Sequence, residues 1–109
     1  MAEVYESAAI GGELIAAGWH FGEFVRCPGL SGGVYRLAAG EPDPQSAHTE
    51  DEVYVVVAGA ATLRAGDKEV PVSAGSIAYV PAGEEHTFHT VTEDLLVVVV
   101  FGPAEGTGG

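Results

Sequence analysis

The sequence predicts an all-β domain, a sandwich or a barrel, and three observations carry that prediction. Segments of strand composition recur every eight to twelve residues. Gly or Pro turns separate them, drawn from 16 glycines and 6 prolines in 109 residues. The segment Glu52 to Ala58, Glu-Val-Tyr-Val-Val-Val-Ala, is rich in β-branched side chains and bounded by Gly59. A chain of this length makes one domain. It can bury roughly 60–70% of its unfolded surface, enough for a core without covalent staples. With 47% apolar and 18% charged residues it is globular rather than disordered. No unit of solenoid length repeats.

The elements follow in order. Residues 1–18 read two ways, as a short helix or as an extra strand. In the helical reading Ser7 is the cap and Ile10, Leu14 and Ala17 share a face. Gly11 and Gly12 each weaken that helix by about 1 kcal/mol relative to Ala. Trp19 to Val25 is the first strand, Cys27-Pro28-Gly29 a turn, and Gly33 to Leu37 the next strand. Gly40 to Pro44 carries two prolines and reads as a loop. Glu52 to Ala58 does not alternate apolar with polar, so both of its faces are expected to be covered. Ala61 to Ala65 and Glu69 to Val72 flank Gly66-Asp67-Lys68, a hairpin signal, and Pro71 puts the second arm at an edge. Ser76 to Val80 is a strand between the turns Ala74-Gly75 and Pro81-Ala82-Gly83. His86 to Val91 and Leu95 to Phe101 are the last two strands, separated by Thr92-Glu93-Asp94. Residues 102–109 have little to bury and read as a flexible tail. The division is an N-terminal segment 1–32, a core 33–101 and the tail.

Charge excludes some partners. Sixteen acids against four Lys and Arg give a net charge of −12. That argues against a nucleic-acid backbone or an anionic membrane surface. The longest apolar run, Leu95 to Phe101, is too short to span a bilayer. The start, Met-Ala-Glu-Val-Tyr-Glu, is acidic and lacks a basic n-region, so the expected location is the cytoplasm. The single Cys27 forms no internal disulfide and reads as incidental.

The chemistry gathers in two stretches, Gln45 to Gly59 and Gly75 to His89. His48 and Glu52 are four apart, so on an extended strand their side chains leave on one face. His86 follows the Pro-Ala-Gly turn. Two imidazoles and a carboxylate on β-scaffolding are the parts of a facial metal site with open positions. The plainer alternative makes His48 and Glu52 a polar edge beside Glu50 and Asp51, with Glu50 at the surface. Against it, Glu52 enters an apolar strand, where a buried carboxylate needs a partner. Tyr54 shares the Glu52 face and is the best pocket candidate among Tyr35, Tyr54, Tyr79 and Phe88. His89 lies an odd number of residues from His86, which points it to the other face. His20, between Trp19 and Phe21, reads as a half-buried histidine on an aromatic patch. An anionic substrate would call for Arg36 or Arg64 at the cavity, and nothing in the sequence places either there.

These stretches resemble the paired motifs of the cupin family. Its first motif runs Gly, five residues, His-x-His, three or four residues, Glu, six residues, Gly. Gly40, His48, Glu52 and Gly59 fall on that frame. Its second runs Gly, five residues, Pro-x-Gly, two residues, His, three residues, Asn. Gly75, Pro81, Gly83 and His86 fall on it. The first His of the first motif falls on Ser46, and the closing Asn of the second on Thr90. The usual three-His, one-Glu ligand set is thereby reduced to His48, Glu52 and His86. Gln45 stands beside the vacancy, as a fourth ligand or a partner of metal-bound water, with Ser46 at the pocket. Gln45-Ser46-Ala47-His48 is also similar to the start of a subgroup of short cupins with Gln at this place.

The resemblance implies an antiparallel β-jelly-roll barrel with a cavity open at one end, and commonly a homodimer. It implies one divalent transition metal, with iron favoured over manganese, nickel, copper or zinc because two His and a carboxylate suit non-haem iron. It further implies a metal-dependent enzyme acting on a small organic molecule. Dioxygenase-like oxidation is favoured over Lewis-acid isomerisation or cyclisation. The rival readings are a non-catalytic ligand-binding or sensing module, and a structural or stress-related protein whose polar cluster is merely solvated.

Overall fold

In a computed structural model that describes residues 1–45 and 47–108, one helix precedes six strands. They are α1 (Ser7–Ala17), β1 (Phe21–Cys27), β2 (Leu30–Leu37), β3 (Asp51–Ala65), β4 (Lys68–Ser73), β5 (Ile77–Val80) and β6 (His86–Gly102). All strand pairs are antiparallel.

Two long strands make the barrel. The first half of β3 pairs with β6 from Leu96 onward and with β5, while β2 and then β1 extend the other side of β6. The second half of β3 pairs with the first half of β6 and with β4. Each long strand therefore serves in two sheets that fold over one core, the jelly-roll that the motifs implied. The core cluster contains Tyr35, Leu37, Tyr54, Val56, Leu63, Val80, Phe88, Val97, Val99 and Phe101.

Where the sequence reading ended strands, the chain instead bends them. Gly59 does not terminate β3. It has φ of +93°, and a Cβ there would stand 2.2 Å from the Asp94 carbonyl oxygen. The β3–β6 register shifts on both sides of it, so one ladder turns into the other sheet. Likewise Thr92-Glu93-Asp94 is not a gap between two strands but the outer bend of β6. The Gly66-Asp67 hairpin is as expected, and β4, with its Pro71, is an edge strand.

Ser7 is the first residue of α1 rather than its cap; Glu6 holds the cap position without a side-chain bond. The helix ends at Gly18 in the left-handed conformation, with the Trp19 N–H on the Leu14 carbonyl at 2.9 Å. Gly11 faces the sheet so closely that a Cβ would meet Leu96 Cδ1 at 2.8 Å, which explains a glycine inside a helix. Leu14 is buried, and Val34 is covered on the outer face of β2.

Two expectations about burial are corrected. On the inner face of β3 Tyr54 and Val56 are buried, but the outer face is only partly covered: Val53 and Val55 are half-buried and Val57 is 41% exposed. Residues 102–108 bury more than the sequence reading foresaw. Gly102 still belongs to β6, Ala104 is 1% exposed, and the Gly108 N–H reaches Glu50 Oε2 at 2.9 Å.

Candidate metal centre

Main-chain bonds tie the two motif stretches together. The Gly83 N–H of the Pro-Ala-Gly turn donates to the His48 carbonyl at 2.7 Å. The Ala82 N–H donates to Asp51 Oδ1 at 2.9 Å. β5, which delivers that turn, is itself laddered to β3 through Glu52 and Val80. A turn that leaves β5 therefore sets His86 beside Glu52.

His48, Glu52 and His86 each turn one ligand atom to a common point, and those atoms lie within 4.8 Å of one another. His86 Nε2 is 2.9 Å from Glu52 Oε1, and both side chains are 1% exposed. His48 Nε2 is 4.0 Å from Glu52 Oε2, with the His48 side chain 20% exposed toward the cavity. Atoms bound at about 2.1 Å to one cation stand about 3–3.4 Å apart, between these two separations. Glu52 Oε2 is buried with no hydrogen-bond partner. An orphaned carboxylate oxygen is costly. A divalent cation between it and two imidazole nitrogens fits that need, so the cluster can hold a metal.

The protonation of His86 is readable from its partners. Its Nδ1 lies 2.9 Å from the Glu84 carbonyl oxygen, so Nδ1 carries a proton and donates. Burial pushes its pKa down. The bond to Glu52, the Glu84 carbonyl, and the charges of Glu52 and Asp43 outweigh burial and leave it raised. A proton on Nε2 and a metal ion are thus alternatives at one place.

Tyr54 stands behind the cluster. Its hydroxyl lies 2.8 Å from His86 Nε2 and donates to Gln45 Oε1 at 2.9 Å. Burial, then the Glu52 charge, push its pKa far up, so it remains a phenol at any working pH. Gln45 is beside the cluster with its amide direction set: Nε2 donates to Asp43 Oδ2 at 2.8 Å, so Oε1 faces Tyr54. That oxygen keeps a second lone pair for a cation or its water. Ser46 lies outside the described residues.

Asp43 is the organiser that sequence reasoning missed. It accepts from the Tyr35 hydroxyl, from the Gln45 N–H at 3.0 Å and from the Phe88 N–H at 2.9 Å. The available signal was local: an Asp two residues before Gln45, between two prolines, can close an Asx-turn. Glu50, read as a surface residue, is 2% exposed. It faces inward as Glu52 does, and accepts from Thr49 and from the Gly108 N–H.

A cavity of about 160 Å³ opens from the cluster, lined by Phe21, Tyr35, Gln45, His48, Tyr54, Val99, Phe101 and Glu105. A second recess of about 320 Å³ at the mouth includes Gln45, Ala47, Arg64, Glu85, His86 and Thr87. Arg64 thus stands at the rim, not in the inner cavity, while Arg36 is used elsewhere, on the Trp19 carbonyl and near Glu41. His89 points away from the cluster to Glu69 at 2.7 Å. His20 pairs with Glu41 at 2.9 Å and lies against Tyr35, half-buried. Cys27 is exposed and free.

The comparisons with known proteins agree with this architecture. An uncharacterised protein of Streptomyces coelicolor is 48% identical over 83 residues, 76% of this chain and 79% of that one. A conserved Klebsiella pneumoniae protein with a double-stranded β-helix domain superposes with a TM-score of 0.77 at 16% identity, over 100% of this chain and 95% of that one. A cupin 2 conserved barrel domain protein of Rhodopseudomonas palustris gives 0.69 at 15% identity, over 78% and 61%. At such identities the structures speak to fold alone. The cupin domain model matches residues 33–102, from the middle of β2 to the end of β6 and through both motif stretches, and the chain belongs to the cupin domain family.

Proposed function

We propose that this cupin binds one divalent transition metal through His48, Glu52 and His86 and acts as a metal-dependent enzyme on a small organic molecule. The observation that carries the reading is the buried Glu52 carboxylate, whose Oε1 meets His86 Nε2 at 2.9 Å while its Oε2, 4.0 Å from His48 Nε2, has no hydrogen-bond partner. Bound there, the cation supplies Lewis-acid polarisation of an oxygen or, as iron, oxidative chemistry. Iron is the favoured metal; manganese, nickel, copper and zinc suit the same donors less specifically. The chain's own part is orientation and exclusion of water. Phe21, Tyr35, Val99 and Phe101 form an apolar wall for the body of a substrate. The Tyr54 hydroxyl and the Gln45 amide are the fixed polar groups beside it, and Tyr54 holds its proton as a donor.

The test is metal analysis of protein purified without added metal, followed by reconstitution. Near-stoichiometric uptake is expected, with a rise in melting temperature of about 10 °C at a hundredfold excess over Kd, from about 2.7 kcal/mol of binding linkage. His48→Ala abolishes that rise. Less than about a tenth of an equivalent, with no uptake on reconstitution, removes the proposal.

A second reading, a ligand-binding or sensing module, is supported by the small, mostly apolar cavity. It predicts ligand binding that survives His48→Ala in metal-free protein, whereas the enzyme reading predicts that ligand response and metal are lost together. A homodimer is part of the proposal. Its support is the outer sheet face, where Ile77 (73% exposed), Val55 and Val98 form one row and Tyr79, Val53 and Val100 the next. A second copy of the chain laid on this face would bury those exposed apolar side chains. The free, exposed Cys27 agrees with a reducing cytoplasm.

A further inference from the structure

The chain after β6 reaches back to the metal cluster. Ala104 is buried, the Glu105 N–H donates to the buried Ser31 Oγ at 2.8 Å, and the Thr107 N–H closes a turn onto the Ala104 carbonyl at 3.1 Å. The Gly108 N–H is anchored on Glu50. Glu105 is therefore held on both sides, and its side chain lines the inner cavity with His48. Its Oε2 stands 3.3 Å from His48 Nδ1. That nitrogen is on the far side of the ring from Nε2, which faces Glu52. Phe101 meets the same ring edge-on at 4.8 Å.

A neutral imidazole that binds a cation through Nε2 must carry its proton on Nδ1. An acceptor there selects the tautomer, aims the ring and makes the bound nitrogen more basic. His86 has such an acceptor in the Glu84 carbonyl. His48 leaves its carbonyl to Gly83 and finds at Nδ1 a carboxylate. We propose that Glu105 is the positioning residue of His48: it accepts the Nδ1 proton and holds Nε2 toward the cation shared with Glu52 and His86. The inference rests on the metal-binding reading above. It makes the segment after β6 part of the site, because the acceptor arrives only when residues 103–108 are docked.

The test compares wild type, Glu105→Gln and Glu105→Ala by Co²⁺ and Zn²⁺ competition titration, with melting of each metal-free protein alongside. Glu105→Ala weakens both metals by about 10–100-fold. Glu105→Gln, whose amide oxygen accepts the same proton, loses less. Metal-free melting stays within about 2 °C, since this carboxylate is part-exposed. Equal affinities in all three proteins overturn the proposal, as does a fall in metal-free melting with affinity unchanged. A measurement free of variants checks it again. Long-range ¹H–¹⁵N spectra of the Zn²⁺-loaded wild type are expected to show His48 protonated at Nδ1 and bound through Nε2; binding through Nδ1 overturns it. Wild type that takes up neither cation overturns this inference and the metal-binding reading together. Wild type that binds and loses binding in His48→Ala, but not in Glu105→Ala, overturns this inference alone.

Discussion

At the scale of single residues, the polar groups at the candidate site form one connected set. Asp43 orders Gln45, Gln45 accepts from Tyr54, and Tyr54 meets His86, which meets Glu52. Tyr54→Phe keeps the ring against Phe88, 5.1 Å away, and removes only the hydroxyl. It leaves Gln45 Oε1 and His86 Nε2 without that partner, so the stability of the metal-free protein should fall by about 1–2 kcal/mol. Chemical denaturation of the two metal-free proteins checks it. Thr90, where the second motif carries Asn, has φ of +50°, a conformation that suits Asn and strains a β-branched residue. Thr90→Asn should stabilise by about 1 kcal/mol, read as a rise in melting temperature of about 4 °C. The same position faces away from the cluster, with its hydroxyl on His89, so metal uptake should not change.

At the scale of elements, the bends of β3 and β6 decide where the ligands go. Gly59 lets β3 pass between sheets; with a side chain, its Cβ would overlap the Asp94 carbonyl. Gly59→Ala should cost about 3 kcal/mol or more, or prevent folding, as seen in urea unfolding. Gly66, which only closes the exposed β3–β4 hairpin, is a useful comparison: its φ is also positive but no atom is closer than 4.0 Å to an added Cβ. Gly66→Ala should therefore cost less. The segment after β6 depends on Glu50. Burial pushes the Glu50 carboxyl up, but bonds from Thr49 and from the Gly108 and Gly106 N–H groups outweigh it and hold its pKa below the usual range. The carboxylate thus binds fewer protons in the folded than in the unfolded chain. Its stabilisation is full above about pH 4.5, the ordinary value, and is lost as pH falls toward the depressed folded value. The melting difference between wild type and Glu50→Gln should accordingly shrink below pH 4.5 and be constant between pH 6 and 8.

At the scale of the whole molecule, a net charge of −12 surrounds a cluster that could hold a cation. Long-range attraction favours metal entry and disfavours small anions, and rising salt should slow metal association more than dissociation. The outer face of the larger sheet is the other global feature. Ile77→Glu or Tyr79→Glu, both on exposed side chains, should turn a dimer into a monomer in sedimentation while metal uptake persists. A wild type that sediments as a monomer at micromolar concentration removes the dimer.

The sequence by itself determined the fold class and pointed to His48, Glu52 and His86, which the fold brings together, because side-chain period and motif spacing are local properties of a strand and a turn. It also determined the β3–β4 hairpin and the outward direction of His89, for the same reason. Only the tertiary structure decided that β3 and β6 run on through their bends, that Glu50 is buried, and that Asp43 and Glu105 reach the site. Those outcomes depend on contacts between residues far apart in the chain, such as Asp43 with Phe88 and Glu105 with Ser31. No local pattern encodes such a meeting: an acid in a polar stretch reads as solvated until another part of the chain brings it a hydrogen-bond donor.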